Sequence, residues 1–269
     1  MNLTIIIPHL GETKEQQYAL SQCLSSLHET QPDIPIVLAT NGTEPKYVPL
    51  YWNNISRIHL WEQGQCKAVN AAVATTNTEW VMISNDDMIY TNGWLDGLTW
   101  MKDYSDCISP RLVEPTDGAP TFIKHFCGGA GGDFDKSKLD QFVRDYRLKD
   151  GEPRFVNGFN MPLLIKRELW DLVGGYDINY DPWGSNSDSD LEYKIKLAGV
   201  QPLQSKLSLI YHFSQTSGTF NPINHSHWVN NFAYFEQKWG FPRTDEGIWE
   251  ATFEIPLDKL KYKPKWAKL

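Results

Sequence analysis

Two hydrophobic periods alternate along the first hundred residues. Four short apolar runs, Leu3-Thr-Ile-Ile-Ile7, Ile34-Pro-Ile-Val-Leu-Ala39, Ile58-His-Leu60 and Trp80-Val-Met-Ile-Ser84, have the length and branching of buried strands. Pro8 stops the first, and the turn signal Asn41-Gly42 breaks the second. Residues 12–30 place Tyr18, Leu20, Leu24 and Leu27 at roughly helical spacing behind Thr13, a plausible N-cap. Residues 64–76 read as a helix of small residues. The order β-α-β-β-α-β predicts an α/β fold with a mostly parallel sheet sandwiched by helices. Ligands in such sheets sit beyond the carboxyl ends of the strands.

The second half is less regular. Cys107–Val113 reads as a strand, and residues 161–177 as a strand running into a helix that ends at Gly174-Gly175. Residues 189–199 predict another helix, and 207–214 a strand ending near His212. Residues 114–156 carry four glycines between Gly128 and Gly132, which suits a functional loop or disorder. This stretch lacks the lysine and the serine or threonine of a phosphate-binding loop, so no nucleotide role is read from it. From about residue 216 the chain is aromatic, helical around 227–240, and closes with Lys259, Lys261, Lys263, Lys265 and Lys268. With no repeat and no clear linker, the expected organisation is one domain over 1–215 and a C-terminal extension over 216–269.

Composition changes this picture little. The 269 residues suffice for a sizeable core, and 41% hydrophobic is ordinary for a globular chain. Twenty-five basic against 33 acidic residues, a net charge of −8, argue against broad binding to polyanions. Cys23, Cys66, Cys107 and Cys127 are widely spaced and suit reduced thiols. No apolar run reaches the ~18 residues of a membrane span. The start "MNLTIIIPHLGE" reads as a strand, without the charged n-region of a signal peptide. A cytoplasmic protein, or one peripheral to a membrane, is expected. The tryptophans of the second half, Trp170, Trp183, Trp228, Trp239, Trp249 and Trp266, suit stacking on sugars or bases, although core packing accounts for most such residues. The terminal lysines read as a solvated tail, or as a contact to a membrane-linked or nucleic-acid acceptor.

Candidate chemistry collects at the ends of apolar elements. Asp86 and Asp87 follow Asn85 directly after the run ending at Ser84. Carboxylates this close resist joint ionisation unless a cation or strong donors sit nearby. A turn is the alternative, because Asn and Asp bond their own backbone there. Asp188-Ser189-Asp190 and His212 fall at other element ends. A hard cation takes carboxylate and phosphate oxygens, and imidazole when it is Mn²⁺. Asp188 also suits the N-cap of the 189–199 helix, and His212 a histidine bonded to backbone. His225-Ser-His227 has metal-like spacing but no carboxylate near it in sequence, and reads as a helix start.

Four segments in order resemble a family 2 glycosyltransferase of the GT-A fold: "TIIIPHLGE", "GQCKAVNAAVATTNTEWVMISNDDM", "NGFNMPLLIKRELWDLVGGYDINYDPWGSNSDSDLEYKIKLAG" and "IYHFSQTSG". The resemblance covers roughly residues 3–215. It implies a Rossmann-like GT-A sheet, with a donor half over about 1–104 and an acceptor half over about 105–215. By resemblance Asp87 matches the last aspartate of Asp-x-Asp and is expected to coordinate a divalent cation, Mn²⁺ or Mg²⁺, with His212 completing the site. Asn85 stands where the first aspartate is common, and Asp86 between them is expected to orient the donor. Pro8, Glu12, Asn41 and Lys67 match donor-side positions, Asn41 where an aspartate is common. Asp188 matches the general base, preceded by Ser187 where a glutamate is common. Trp183 and Asp190 fall on the acceptor side.

The implied activity is inverting, metal-dependent transfer of a hexosyl or pentosyl group. The donor is a nucleotide diphosphate sugar, and the acceptor a free hydroxyl on a glycan, lipid-linked sugar, protein or modified nucleic-acid base. Two other readings remain open: a catalytically degenerate domain that binds carbohydrate or nucleotide, and a nucleotidyltransferase.

Overall fold

The computed structural model describes residues 1–42, 52–116, 122–149, 154–214, 216, 221–240 and 260–268. Trp249 and Lys259 lie outside them. Among the described residues ten strands form one sheet: β1 (Leu3–His9), β2 (Ile36–Asn41), β3 (Ile55–Leu60), β4 (Trp80–Ile83), β5 (Met88–Tyr90), β6 (Cys107–Glu114), β7 (Ile123–Lys124), β8 (Phe155–Asn157), β9 (Leu163–Lys166) and β10 (Leu203–His212). Their order is β3-β2-β1-β4-β9-β6-β10-β5, with β7 beside β6 and β8 beside β10. The first half is parallel, as the alternation predicts. The second is mixed. β9 inserts antiparallel between β4 and β6, and β5 and β8 run antiparallel to β10.

Helices cover both faces: α1 (Lys14–Thr30), α2 (Gln65–Ala74), α3 (Asp96–Thr99), α4 (Lys136–Lys149), α5 (Arg167–Val173), α6 (Ser187–Leu197) and α7 (His225–Trp239). Alternate residues of β1 and β4 supply the two faces. Leu3, Ile5, Ile7, Trp80 and Met82 pack with α1, while Ile6, Val81 and Ile83 pack with α2, α5 and α6. Burial on both faces explains why these strands read as unbroken apolar runs. Thr13 caps α1 in a reciprocal capping box with Gln16. Among the described residues no helix is long and apolar enough to cross a membrane. All four cysteines are buried and free.

Several elements depart from expectation, α3, β7 and β8 among them. β5 follows the Asp pair immediately and was not read from its three residues. α4 lies inside the stretch read as loop, where Leu139, Phe142, Val143 and Tyr146 do carry helical spacing. The glycine run ahead of α4 is anchored, since the Tyr211 hydroxyl donates to the Gly128 carbonyl. Finally, α6 starts at Ser187 rather than 189. Asn186 takes the N-cap position, so Asp188 lies inside the first turn and is not the cap.

The described part of the C-terminal extension is welded to α6. Phe235, Trp239 and Leu260 join the core cluster that holds Leu191 and Ile195. Asn231 donates to the carbonyls of Tyr180 and Ser185. Asp190, read above as acceptor-side, is 0% exposed. Its Oδ1 accepts from Trp239 Nε1 at 2.9 Å and pairs with Lys238 Nζ at 2.7 Å, while Lys194 Nζ lies 3.5 Å from Oδ2. In this arrangement the carboxylate is enclosed by α6 and α7 and does not face an acceptor.

Removing one partner of a buried ion network leaves the others uncompensated, at about 3–5 kcal/mol. Asp190→Ala is expected to destabilise the protein by that much, read as a lower urea midpoint at unchanged slope. A loss below about 1 kcal/mol would show that this carboxylate does not pin α7.

Candidate active site

Strand directions gather the polar residues on one edge. β1, β2 and β4 are mutually parallel; β9 is antiparallel to both β4 and β6, and β10 is parallel to β6, so β1, β2, β4, β6 and β10 end on the same side. That edge carries His9 from β1, Asn41 from β2, Asn85-Asp86-Asp87 after β4, Glu114 from β6 and His212 from β10.

Register then pairs them. Ile6 lies beside Ile83 across β1 and β4, and three residues further on His9 Nδ1 donates to Asp86 Oδ2 at 2.5 Å. β5 turns back against β10 with Met88 opposite His212, and Phe213 N donates to the Asp87 carbonyl. This brings His212 Nε2 to 3.3 Å from Asp87 Oδ2. Across the β6–β10 pair, Glu114 Oε1 accepts from His212 Nδ1 at 2.6 Å. Thr216 Oγ1 donates to Asp87 Oδ2 at 2.5 Å. Each of the adjacent carboxylates therefore has its own histidine.

Their environments push them apart. Burial dominates at Asp86 and raises its pKa, although His9 works against the rise. At Asp87 burial also acts to raise the pKa, but the His212 charge and the bonds from His212 and Thr216 outweigh it, and the net shift is downward. Burial disfavours charge on His212, yet the Asp87 and Glu114 carboxylates push its pKa up to about 10.

Asp188 is exposed in the first turn of α6, and Tyr176 Oη donates to its Oδ1 at 2.8 Å. The same hydroxyl lies 3.6 Å from Met161 Sδ, two residues before Leu163, which pairs with Ile83. Asp188 thus stands at the same sheet edge as the Asp pair. Pro8 is buried in register with Ala39. Asn41 is committed to the scaffold: its Oδ1 accepts from Gly64 N at 3.0 Å and its Nδ2 reaches toward the His9 carbonyl at 3.5 Å. Asn85 is partly exposed beside Asp86, Glu12 is exposed before α1, and Trp183 is half-buried ahead of α6. Lys67 Nζ pairs with Glu62 at 2.5 Å. The start of α2 is capped by Asp181, which accepts from the N–H groups of Cys66 and Lys67. A Cβ at Gly64 would sit 2.7 Å from that carboxylate, so the cap needs glycine there.

Sequence reasoning missed His9, Glu114, Tyr176 and Thr216. Glu114 and His9 did carry a signal, a polar residue at the end of an apolar run, but their partners lie on other strands.

The edge fits a divalent cation shared with a ligand. Among the described residues no three His, Cys, Asp or Glu side chains converge to hold a metal by themselves. Magnesium-type sites, however, take one or two protein ligands and complete the shell with substrate phosphates and water. Asp87 Oδ1 is buried and has no hydrogen-bond partner among the described residues. Glu114 grips His212 at Nδ1 and so orients Nε2 toward Asp87, as a carboxylate behind a metal-ligating imidazole would.

No protein-family model matches the chain, and no curated protein matches it in sequence. Solved structures share its fold. GalNAc-T7 with UDP, GalNAc and Mn²⁺ superposes with a TM-score of 0.63 at 16% identity, over 89% of this chain and 49% of that one. PcManGT, a mannosyltransferase from Pyrobaculum calidifontis with GDP-Man and Mn²⁺, gives 0.55 at 16% identity, over 93% and 68%. S. aureus TarS 1-349 with UDP-GlcNAc gives 0.56 at 13% identity, over 92% and 75%. The chain spans about half the length of GalNAc-T7. The fold is that of GT-A glycosyltransferases.

The raised pKa of His212 has a sign that can be measured. A group whose folded value exceeds its unfolded value of 6.5 stabilises fully below that pH, and the contribution fades as pH rises through the folded value. Without added cation, stability is expected to decline between about pH 7 and 10, and His212→Gln to remove that decline. An unchanged slope in the variant would place the titrating charge elsewhere.

Proposed function

We propose that this chain is an inverting glycosyltransferase, moving a sugar from a nucleoside diphosphate sugar to an acceptor hydroxyl with a divalent cation. The observation that carries this reading is the Glu114–His212–Asp87 relay, with its orphaned Asp87 Oδ1, on the carboxyl edge of a GT-A sheet.

Asp87 and His212 would hold Mn²⁺ or Mg²⁺, His212 giving up its proton to do so. When bound, the cation would offset the charge that grows on the departing diphosphate. Asp86, held by His9, would accept from a donor hydroxyl, and the edge formed by Pro8, Glu12, Asn41, Lys67 and Asn85 would flank the nucleoside. Asn41 would act there through the scaffold, since both of its amide atoms are engaged. Trp183 would offer a ring face to the acceptor.

Asp188 would serve as general base. The acceptor oxygen attacks the anomeric carbon from the face opposite the diphosphate, and its proton passes to the Asp188 carboxylate. The bond from the anomeric carbon to the diphosphate oxygen breaks, and the nucleoside diphosphate leaves with the electron pair. Configuration at the anomeric carbon inverts. The exposure of Asp188 at the same edge as Asp86 and Asp87 supports this role.

A general base contributes roughly 10²–10⁴-fold to rate. Asp188→Asn is expected to lose about that much kcat with little change in donor KM, followed by nucleoside diphosphate release over an acceptor panel. Wild-type turnover in the variant would remove Asp188 from the role. Pyrophosphate released from a nucleoside triphosphate would favour a nucleotidyltransferase. Donor binding without turnover by the wild type would favour a non-catalytic binding domain.

A further inference from the structure

Asp188 is an exposed carboxylate on the first turn of a helix, and the terminal torsion of an aspartate is broad and only two-fold. A donor held rigidly beside such a group restricts its plane. The structure supplies a built device for this. Tyr176 is 3% exposed, and its hydroxyl reaches Asp188 Oδ1 at 2.8 Å. Its backbone is clamped from both sides by one side chain of α2: Tyr176 N donates to Asn70 Oδ1 at 2.9 Å, and Asn70 Nδ2 donates to the Tyr176 carbonyl at 2.8 Å. Its ring meets Trp170 edge-on, with centroids 5.5 Å apart.

The residue before it must be glycine. Gly175 has φ +59°, and a Cβ there would lie 2.6 Å from Asn70 Oδ1 and 2.8 Å from the Trp170 ring. Only glycine lets Asn70 reach the backbone of Tyr176. A phenylalanine at 176 would keep the ring packing and lose only the hydroxyl.

We infer that Tyr176 is a positioning residue for the base, its hydroxyl fixing the carboxylate plane of Asp188 while α2 fixes Tyr176. The inference rests on the reading of Asp188 as general base. Titratable groups near this start of α6 include the Cys66 thiol on α2, the Asp181 carboxyl that caps α2 and, on α6 itself, Asp190 with Lys194. Burial pushes Cys66 well up, and burial with the Asp188 charge does the same to Tyr176, so both stay protonated donors at working pH. Burial also raises Asp181.

The test compares Tyr176→Phe with Asp188→Asn, using the donor sugar and acceptor that support turnover. Tyr176→Phe is expected to lower kcat about tenfold with donor KM unchanged, because a hydrogen bond to a charged group is lost. Removing a donor from a carboxylate also raises its pKa, so the acid limb of the kcat–pH profile should move up by roughly one unit. Asn70→Ser, which keeps the hydroxyl but frees its backbone, should give a weaker version of both changes. Wild-type kcat and profile in Tyr176→Phe, with Asp188→Asn inactive, would overturn the positioning role and leave the base standing. A fall in kcat without movement of the acid limb would mark a merely structural role and overturn it too. Active Asp188→Asn would remove the base and this inference with it.

Discussion

Two carboxylates on consecutive, largely enclosed residues repel each other and lose hydration, and a fold can keep both only by compensating each separately. Here the compensation comes from two histidines at the ends of two different strands. His9 from β1 takes Asp86, and His212 from β10 takes Asp87, with Glu114 from β6 behind it. The arrangement is fixed by the sheet: β1 beside β4 sets the first pair, while β5 folding back on β10 sets the second. The strand order around β4 and β10 is therefore a requirement of the Asp pair as much as of the core.

The same helix carries a scaffold carboxylate and the proposed base on opposite sides. Asp190 faces inward and ties α6 to α7 through Trp239 and Lys238, while Asp188 one half-turn away stays exposed at the sheet edge. The C-terminal extension thus holds the helix that presents the proposed base. Lys194 and Lys238 show how far this network is desolvated. Burial drags Lys194 below its ordinary value, whereas at Lys238 the Asp177 and Asp190 carboxylates overcome burial and raise it.

Much of this was legible in the sequence where the signal is local. Strand β1, the Thr13-capped α1, the strand-to-helix run through Gly174 and the helical α7 all follow from periodicity and caps within a dozen residues. What depends on pairing across the chain was not. His9 and Asp86 are 77 residues apart, and Glu114 and His212 are 98 apart, so neither contact leaves a mark in any local window. Asn41 shows the converse. The resemblance makes it a donor-side residue, and in the fold its amide also holds Gly64 and His9. Asp188 moved from cap to first turn because Asn186, at φ 70°, begins α6 two residues early.

In the proposed function Asp87, backed by His212 and Glu114, would build a cation-dependent site for a nucleoside diphosphate sugar. A thermal-shift panel of UDP-, GDP- and dTDP-sugars, with a CMP-sugar as the monophosphate control and with Mn²⁺ or chelator, on the wild type and Asp87→Ala, reads this directly. A ligand at about 100 times its dissociation constant adds ~2.7 kcal/mol of stability, enough to raise the melting temperature visibly. The expected result is a shift with one nucleoside diphosphate sugar, present only with Mn²⁺ and lost in Asp87→Ala. No cation-dependent shift with any donor, or one that survives in the variant, would contradict it.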